Sequence, residues 1–313
     1  MTGNWPGAYP RRVSQPTRTA DADLLAGYVA VIRELHGDDA GPGDGEPWRP
    51  RLVQGQFHDV VLSRDVVYRF PKDEDSRTRL AGRTAMLAAL ARLPLPVAVP
   101  EPVDAGQAGL PLGRSHVVLR RLPGEPLGAR RAAQAATVVA AQLAALLDAL
   151  LAAGASPELA GRVPRAEPDQ WHQFATDVGR VLFPLMSAGG RQQATAELQA
   201  VLQIDPVGDA LVHEDLGGDN LRWDLAGPQP RLTGVLDWDG ASLGSQSADL
   251  ASLAATYGWQ IAEEVAGLRP GADRADLGRA RAIMATFALQ QALPAALSGD
   301  KAMLDDGLIS YRS

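Results

Sequence analysis

The segment Leu211-Val212-His213-Glu214-Asp215-Leu216-Gly217-Gly218-Asp219-Asn220, with Gly234-Val235-Leu236-Asp237-Trp238-Asp239 shortly after it, decides how the rest of the chain is read. An apolar pair leads into His213 and Asp215, and Asn220 stands five positions after that Asp. The turn-prone Leu225-Ala226-Gly227-Pro228-Gln229-Pro230 separates this loop from a new apolar run, Leu232 to Leu236, which ends in Asp237 and Asp239. The order is H-x-D-x-x-x-x-N, then a hairpin, then a carboxylate at a strand end. Three fixed positions arise by chance in on the order of a few per cent of chains of this length. A strand ending in Asp237, at the right distance and behind a turn, removes most of that risk. It makes the bland reading, Asp and Asn as turn formers in a polar loop, the weaker one.

The residue types suit phosphoryl transfer, in which the protein contributes mainly positioning and charge neutralisation. A carboxylate must reach an attacking hydroxyl and accept its proton, and Asp215 is the candidate. Magnesium takes hard oxygen ligands and keeps several waters, so an amide oxygen and a carboxylate, Asn220 and Asp237, suffice as its protein ligands. His213 is placed to orient the loop rather than to carry protons. Gly217 and Gly218 are expected to supply the positive φ values of a tight loop.

Composition sets outer bounds. The chain has 313 residues, 46% of them apolar and 21% charged, which suits one large or two modest globular domains. There is no cysteine, so disulfides, thiolate metal sites and a cysteine nucleophile are excluded. The net charge is -7, and no Lys/Arg block forms a basic face for nucleic acid. An acidic balance favours a cationic small molecule over an anionic one, though only weakly. No uncharged apolar run of 18 residues predicts a membrane span, and the start lacks the apolar core of a secretory signal. A cytoplasmic protein, monomer or weak dimer, is expected. Among the histidines, His36, His58, His116 and His172 are isolated, and no zinc site is predicted.

Taken in order, residues 1–19 are rich in Pro, Gly and Ser and predict a flexible tail. A helix follows from near Asp21 to Leu35, apolar at Leu24, Leu25, Tyr28, Val29 and Ile32. Arg51 to Phe57, Asp59 to Leu62 and Val66 to Phe70 are short β-type runs, with a turn at Ser63-Arg64-Asp65. Gln54-Gly55-Gln56-Phe57-His58 is the candidate phosphate loop, with Gly55 and Gln56 at its centre. Arg69, or failing it Lys72, is the candidate cation for the nucleotide phosphates. The competing reading leaves Arg69 pointing outward from its strand while Val67 and Phe70 face inward. Asp75 to Leu93 predicts a helix. No Glu sits where it would pair with the strand cation, since Arg83 and Thr84 hold those places. Ser115 to Arg121 predicts a strand, and Arg121 with Leu122 begins a candidate hinge at the adenine edge. Residues 20–121 thus form a nucleotide-binding small lobe.

Residues 122–313 are helical around the catalytic loops. Ala129 to Ala153 predicts one long buried helix, followed by Asp169 to Ala188 and Arg191 to Leu202. Beyond Asp239, helices are expected at Asp249 to Thr256, started by Asp249, then Trp259 to Leu268, Asp273 to Leu297 and Lys301 to Ser310. Gly271, Pro294 and Gly299 punctuate these last elements. The fold class is α+β: a small, mostly antiparallel β lobe followed by a large helical lobe, as in protein kinases.

These residues resemble the aminoglycoside phosphotransferase family, and within it the branch acting on tuberactinomycin-type cyclic peptides such as viomycin and capreomycin. The resemblance rests on Gly55-Gln56-Phe57-His58, Trp171-His172-Gln173-Phe174 with Leu182-Phe183-Pro184-Leu185-Met186-Ser187, Asp215-Leu216-Gly217-Gly218-Asp219-Asn220, Gly234 to Asp239, Phe287-Ala288-Leu289-Gln290-Gln291-Ala292-Leu293, and Asp306-Gly307-Leu308. It implies ATP (or GTP) and Mg2+ as cofactors and transfer of phosphate to a hydroxyl of a cationic antibiotic, which confers resistance. It also implies Asp215 as base, Asn220 and Asp237 as metal ligands, and His213 as support of the loop. Three places depart from the family pattern: Glu214 where Gly is usual, Gly240 after Asp239, and Ser245-Gln246-Ser247 before Ala248-Asp249-Leu250. Glu214 either raises the Asp215 pKa by like-charge repulsion or points away from it. The alternatives are a kinase of another hydroxylated small molecule and a non-catalytic binding protein.

Overall fold

The computed structural model describes residues 18–37, 49–55, 57–105, 107–269 and 275–312. They fall into two compact units, one within Arg12–Leu93 and Ala98–Pro123, the other Pro94–Val97 with the chain from Gly124 onward. Most of the expected tail, up to residue 17, lies outside the described residues, and helix already begins at Arg18.

The first unit opens with α1 (Arg18–His36) and continues through β1 (Arg51–Gln54), β2 (His58–Leu62), β3 (Val66–Pro71), α2 (Glu74–Leu90), β4 (Pro102–Asp104) and β5 (Val117–Arg120). The five strands form one antiparallel sheet in the order β1-β2-β3-β5-β4. Alternation along β3 sends Tyr68 and Phe70 into the core, where α1 packs Tyr28 and Ile32 against them and Val61. Tyr28 stacks on Phe70 with ring centroids 4.2 Å apart and donates its hydroxyl to Asp59 Oδ2 at 2.8 Å. The expected pairing of Val67 with Phe70 on the inner face is therefore wrong by the period of two: Val67 shares its face with Arg69. Helix α2 starts at Asp73, whose carboxylate accepts from Ser76 N at 2.7 Å. It buries Leu80, Thr84, Leu87 and Leu90 along one face.

The second unit holds α3 (Ala129–Gln134), α4 (Ala136–Gly154), α5 (Gln170–Val181), α6 (Ala188–Val201), β6 (Ala210–Val212), β7 (Leu221–Asp224), β8 (Arg231–Val235), β9 (Ser242–Gly244), α7 (Ser247–Tyr257), α8 (Trp259–Gly267), α9 (Asp276–Ala285), α10 (Phe287–Ser298) and α11 (Lys301–Gly307). β6 pairs with β9, and β7 with β8, both antiparallel. The one long helix expected from Ala129 is broken at Ala135, with φ -122° and ψ 31°. No side chain at an Ala announces that break, so packing imposes it. By length and apolarity α4 passes for a membrane span, with mean hydropathy 1.9. Here it is the core: Leu143, Leu146, Leu147 and Leu150 are fully buried. Its last residue, Gly154, is pressed so closely to β6 that a Cβ there would lie 1.8 Å from the Asp209 carbonyl oxygen.

The helix expected over Asp273 to Leu297 also divides. Residues 270–274 are outside the described ones, and α9 ends at Thr286, whose hydroxyl and N–H both donate to the Ile283 carbonyl. Pro294 does not punctuate; it lies inside α10, and Gly299 ends that helix in a left-handed conformation.

Candidate active site

β6 delivers the catalytic loop and β7 takes it away, so residues 213–220 form a turn between two strands of the helical unit. His213 is fully buried, and Trp238 packs edge-on to it at 4.8 Å between centroids. Its Nε2 lies 2.7 Å from the Leu236 carbonyl, which can only accept, so Nε2 carries the proton. Nδ1 is then the acceptor for Asp215 N–H at 3.3 Å. Burial, only partly countered by these contacts and by the Asp239 charge, pushes the imidazole down to about 4. His213 is a neutral strut joining the base loop to the strand end that carries Asp237.

The loop closes on itself through Asp215 and Asn220. The Asn220 amide nitrogen donates to both the carbonyl oxygen and Oδ2 of Asp215, each at 2.9 Å. Gly217 N–H adds a second bond to that carbonyl, at 2.8 Å, and Leu236 N–H is bound by the Asn220 carbonyl, also at 2.8 Å. Asp215 Oδ1 is left without a donor among the described residues. Burial first, and the Asp237 carboxylate second, push the Asp215 carboxyl up to about 8. The four residues expected to act together, His213, Asp215, Asn220 and Asp237, are thus brought together.

Two expectations about this loop are corrected. The positive φ values fall at Glu214 (71°) and Asp237 (54°), and neither Gly217 nor Gly218 has one. Gly218 is needed for close approach instead: its N–H donates to Thr256 Oγ1 at 3.0 Å, and a Cβ would stand 2.7 Å from Thr256 Cγ2. Asp249 does not cap α7, which starts at Ser247 with no side-chain cap. Its buried carboxylate turns to the catalytic loop and accepts from His213 N–H at 3.1 Å and Glu214 N–H at 3.0 Å. Sequence reasoning missed this clamp because the partners are 36 and 35 residues apart.

Glu214 points away from Asp215, and its charge is not among the influences on that residue. Its Oε1 accepts from Ser242 Oγ at 2.6 Å. It lines a recess within the helical unit, open to solvent, together with Trp171, Ser245, Ile283, Phe287 and Gln290.

In the β unit, Gly55 N–H donates to the His58 carbonyl at 2.8 Å, and a Cβ on Gly55 would lie 2.9 Å from that oxygen, so the loop between β1 and β2 needs Gly there. Lys72 Nζ donates to the Gly55 carbonyl at 3.1 Å and lies 3.6 Å from Asp59 Oδ1. Arg69 Nη2 lies 3.1 Å from His58 Nδ1. Gly55, Lys72 and Arg69 therefore converge; Gln56 is outside the described residues. Glu74 pairs with Arg77 and not with the strand cation. Arg121 is elsewhere: its guanidinium donates to the Ser63 carbonyl at 2.7 Å and its N–H to the Asp65 carbonyl at 2.9 Å, which pins the β2–β3 turn at the far end of β2 from His58. Leu122 follows it, half-buried.

A loop bearing Asp215, a paired Asn220, and a carboxylate at a strand end, carried after an antiparallel β unit, define a phosphotransferase of the protein-kinase-like kind. Residues 51–287 match the Phosphotransferase enzyme family (APH), and the chain belongs to that family. It is 41% identical over 261 residues to viomycin phosphotransferase of Streptomyces vinaceus, covering 83% of this chain and 91% of that relative. Among solved structures, the GDP complex of wild-type aminoglycoside 2'-phosphotransferase-IIIa superimposes with a TM-score of 0.76 at 22% identity, over 91% of this chain and 96% of the other. Macrolide 2'-phosphotransferase from Brachybacterium faecium gives 0.66 at 23%, over 93% and 98%. At such identities these two show the shared bilobal α+β fold.

Proposed function

We propose that this protein is an ATP- and magnesium-dependent kinase that phosphorylates a hydroxyl of a cationic tuberactinomycin-type cyclic peptide, viomycin or capreomycin, and so inactivates it in the cytoplasm. The observation that carries the substrate is the 41% identity to viomycin phosphotransferase over 83% of the chain. In this reading Asp215 Oδ1 takes the proton of the acceptor hydroxyl, while Asn220 holds Oδ2 and fixes the carboxylate plane. His213, neutral and buried, positions the loop. The Gly55 loop, Arg69 and Lys72 take the nucleotide phosphates, and Arg121 and Leu122 begin the hinge at the adenine edge, the Arg121 side chain being tied to the Ser63 carbonyl.

Magnesium fits the residues present. Among the described residues no cation acts on Asp215, whose neighbours Asp237, Asp249 and Asp219 are all carboxylates. Asn220 donates with its side-chain nitrogen and so keeps its side-chain Oδ1 for coordination. Magnesium takes one or two protein oxygens and completes its shell with phosphates and water. When bound there, magnesium neutralises charge on the transferring phosphoryl group.

The test is an ADP-release assay with ATP and with GTP against viomycin, capreomycin, kanamycin, erythromycin and choline. Viomycin or capreomycin is expected to exceed the other acceptors by about 100-fold or more in kcat/KM, a difference of about 2.7 kcal/mol. A higher value for any of the other three would replace the acceptor while leaving the reaction type standing.

A further inference from the structure

Glu214 occupies an unusual backbone position. A non-glycine residue at φ 71° carries a conformational cost, and such outliers persist where the surroundings hold them. Asp249 holds this one through the Glu214 N–H, and Ser242 holds the side chain through Oε1. The result is a carboxylate aimed away from the base and into the recess bounded by α5, α9 and α10. Its Oε2 has no donor among the described residues.

Among the described residues Glu214 is the one ionisable side chain in the lining. Ile283 and Phe287 form apolar walls. The Gln290 amide nitrogen is committed to Thr286 Oγ1 at 2.9 Å, which leaves its carbonyl oxygen as a second acceptor. Trp171, 7% exposed, adds an aromatic side chain to the same lining. Burial, and then Asp249 against the Ser242 bond, push Glu214 up to about 7, the condition of a carboxylate that lacks a counter-charge. About 30 Å3 of space, room for roughly two waters, admits a small group and not a macrocycle.

We infer that this recess seats one cationic group of the acceptor, an ammonium or guanidinium, with the Glu214 carboxylate as its counter-charge, so that Glu214 is a specificity-determining residue. The inference rests on the acceptor reading above and locates it. A neutral acceptor gains nothing from this anchor and leaves Glu214 to bear its desolvation alone.

The test compares wild type and Glu214→Gln with viomycin as the varied substrate. Glu214→Gln keeps shape and the Ser242 contact but removes the charge. Its KM for viomycin is expected to rise about 10- to 100-fold, as for loss of a charge-assisted bond. Its kcat should stay within about threefold and its KM for ATP within about twofold. Agmatine, a small guanidinium and ammonium probe, should compete with viomycin in wild type and lose that competition in Glu214→Gln. The inference is overturned by a viomycin KM within twofold of wild type in Glu214→Gln, or by a fall in kcat with KM unmoved, which would make Glu214 a support of the loop. Viomycin turnover with either of those results ends this inference alone; no viomycin turnover by wild type ends the acceptor reading and this inference with it.

Discussion

At the scale of single residues, the site is a balance between carboxylates that the fold crowds together and the few donors it supplies. Asp215 shows the sign. Its folded-state value of about 8 lies above its ordinary 3.8, so folding takes up a proton between those pH values. The stability this contributes is present below about pH 4 and is lost as pH rises toward 8. Asp215→Asn stays neutral throughout. In EDTA its melting temperature should therefore exceed wild type by a few degrees at pH 8, and the gap should close toward pH 4. A gap that does not change with pH would show that Asp215 is not held this way. The same variant should lose about 10^2 to 10^4 in kcat. His213 runs the other way: it is depressed to about 4, so the unfolded chain binds more protons between about pH 6.5 and 4 and stability falls as pH drops through that window. His213→Asn, read by thermal melts at pH 7 and pH 4.5, should lose less stability than wild type on that descent. An equal loss in both proteins would contradict a buried neutral imidazole. At this scale the sequence was most legible where chemistry dictates residue type, as at Asp215 and Asn220. The side-chain directions of Glu214 and Arg121 were hidden, because one depends on a φ of 71° and the other on the register that brings Ser63 under a guanidinium.

At the scale of elements, the catalytic loop is held from behind by α7. Asp249 satisfies two backbone N–H groups that would otherwise be buried without acceptors. Asp249→Ala should cost about 3 kcal/mol and lower kcat, measured by denaturant melts and by initial rates. A loss of stability under about 0.5 kcal/mol would remove the clamp from the account. The contact of α4 with β6 gives a second test. Gly154→Ala forces a Cβ to within 1.8 Å of the Asp209 carbonyl, so helix and strand must part, at about 2 kcal/mol in the same melts. An unchanged denaturation midpoint would contradict that packing. Periodicity located most helices and the first three strands, since each buries one face. It could not show the breaks at Ala135 and Thr286. An Ala-rich run offers the same side chain on either side of a break, and the Thr286 back-bond to Ile283 becomes visible only once the turn exists. Asp249 was misread for a related reason: an Asp near a helix start is usually a cap, and only the tertiary structure shows it turned toward a loop some 35 residues earlier.

At the scale of the whole molecule, a formal charge of -7 and an acidic loop predispose the protein to attract a cationic acceptor. For viomycin, kcat/KM should fall several-fold when salt is raised from about 20 to about 200 mM, because the screening length shortens through that range. A kcat/KM indifferent to salt would show that the field plays no part. The β-then-helix order of the chain was legible from composition and turn residues. The recess was not. Its lining comes from Trp171, Glu214, Ser245, Ile283 and Phe287, which share no local pattern and meet only when α5, α9 and α10 are assembled beside the catalytic loop. Trp171 and Phe287 lie in stretches that already carried the family resemblance, yet nothing in either stretch shows that they face one cavity.

The most direct test of the central claim is a mass spectrum of viomycin after incubation with the protein, ATP and magnesium, run beside the Asp215→Asn variant. The account predicts a product heavier by one phosphoryl group with wild type and about a hundredfold less of it, or none, with the variant at equal time. Unmodified viomycin with active, ATP-hydrolysing wild type would contradict the proposed acceptor, and equal product from both proteins would contradict Asp215 as the base.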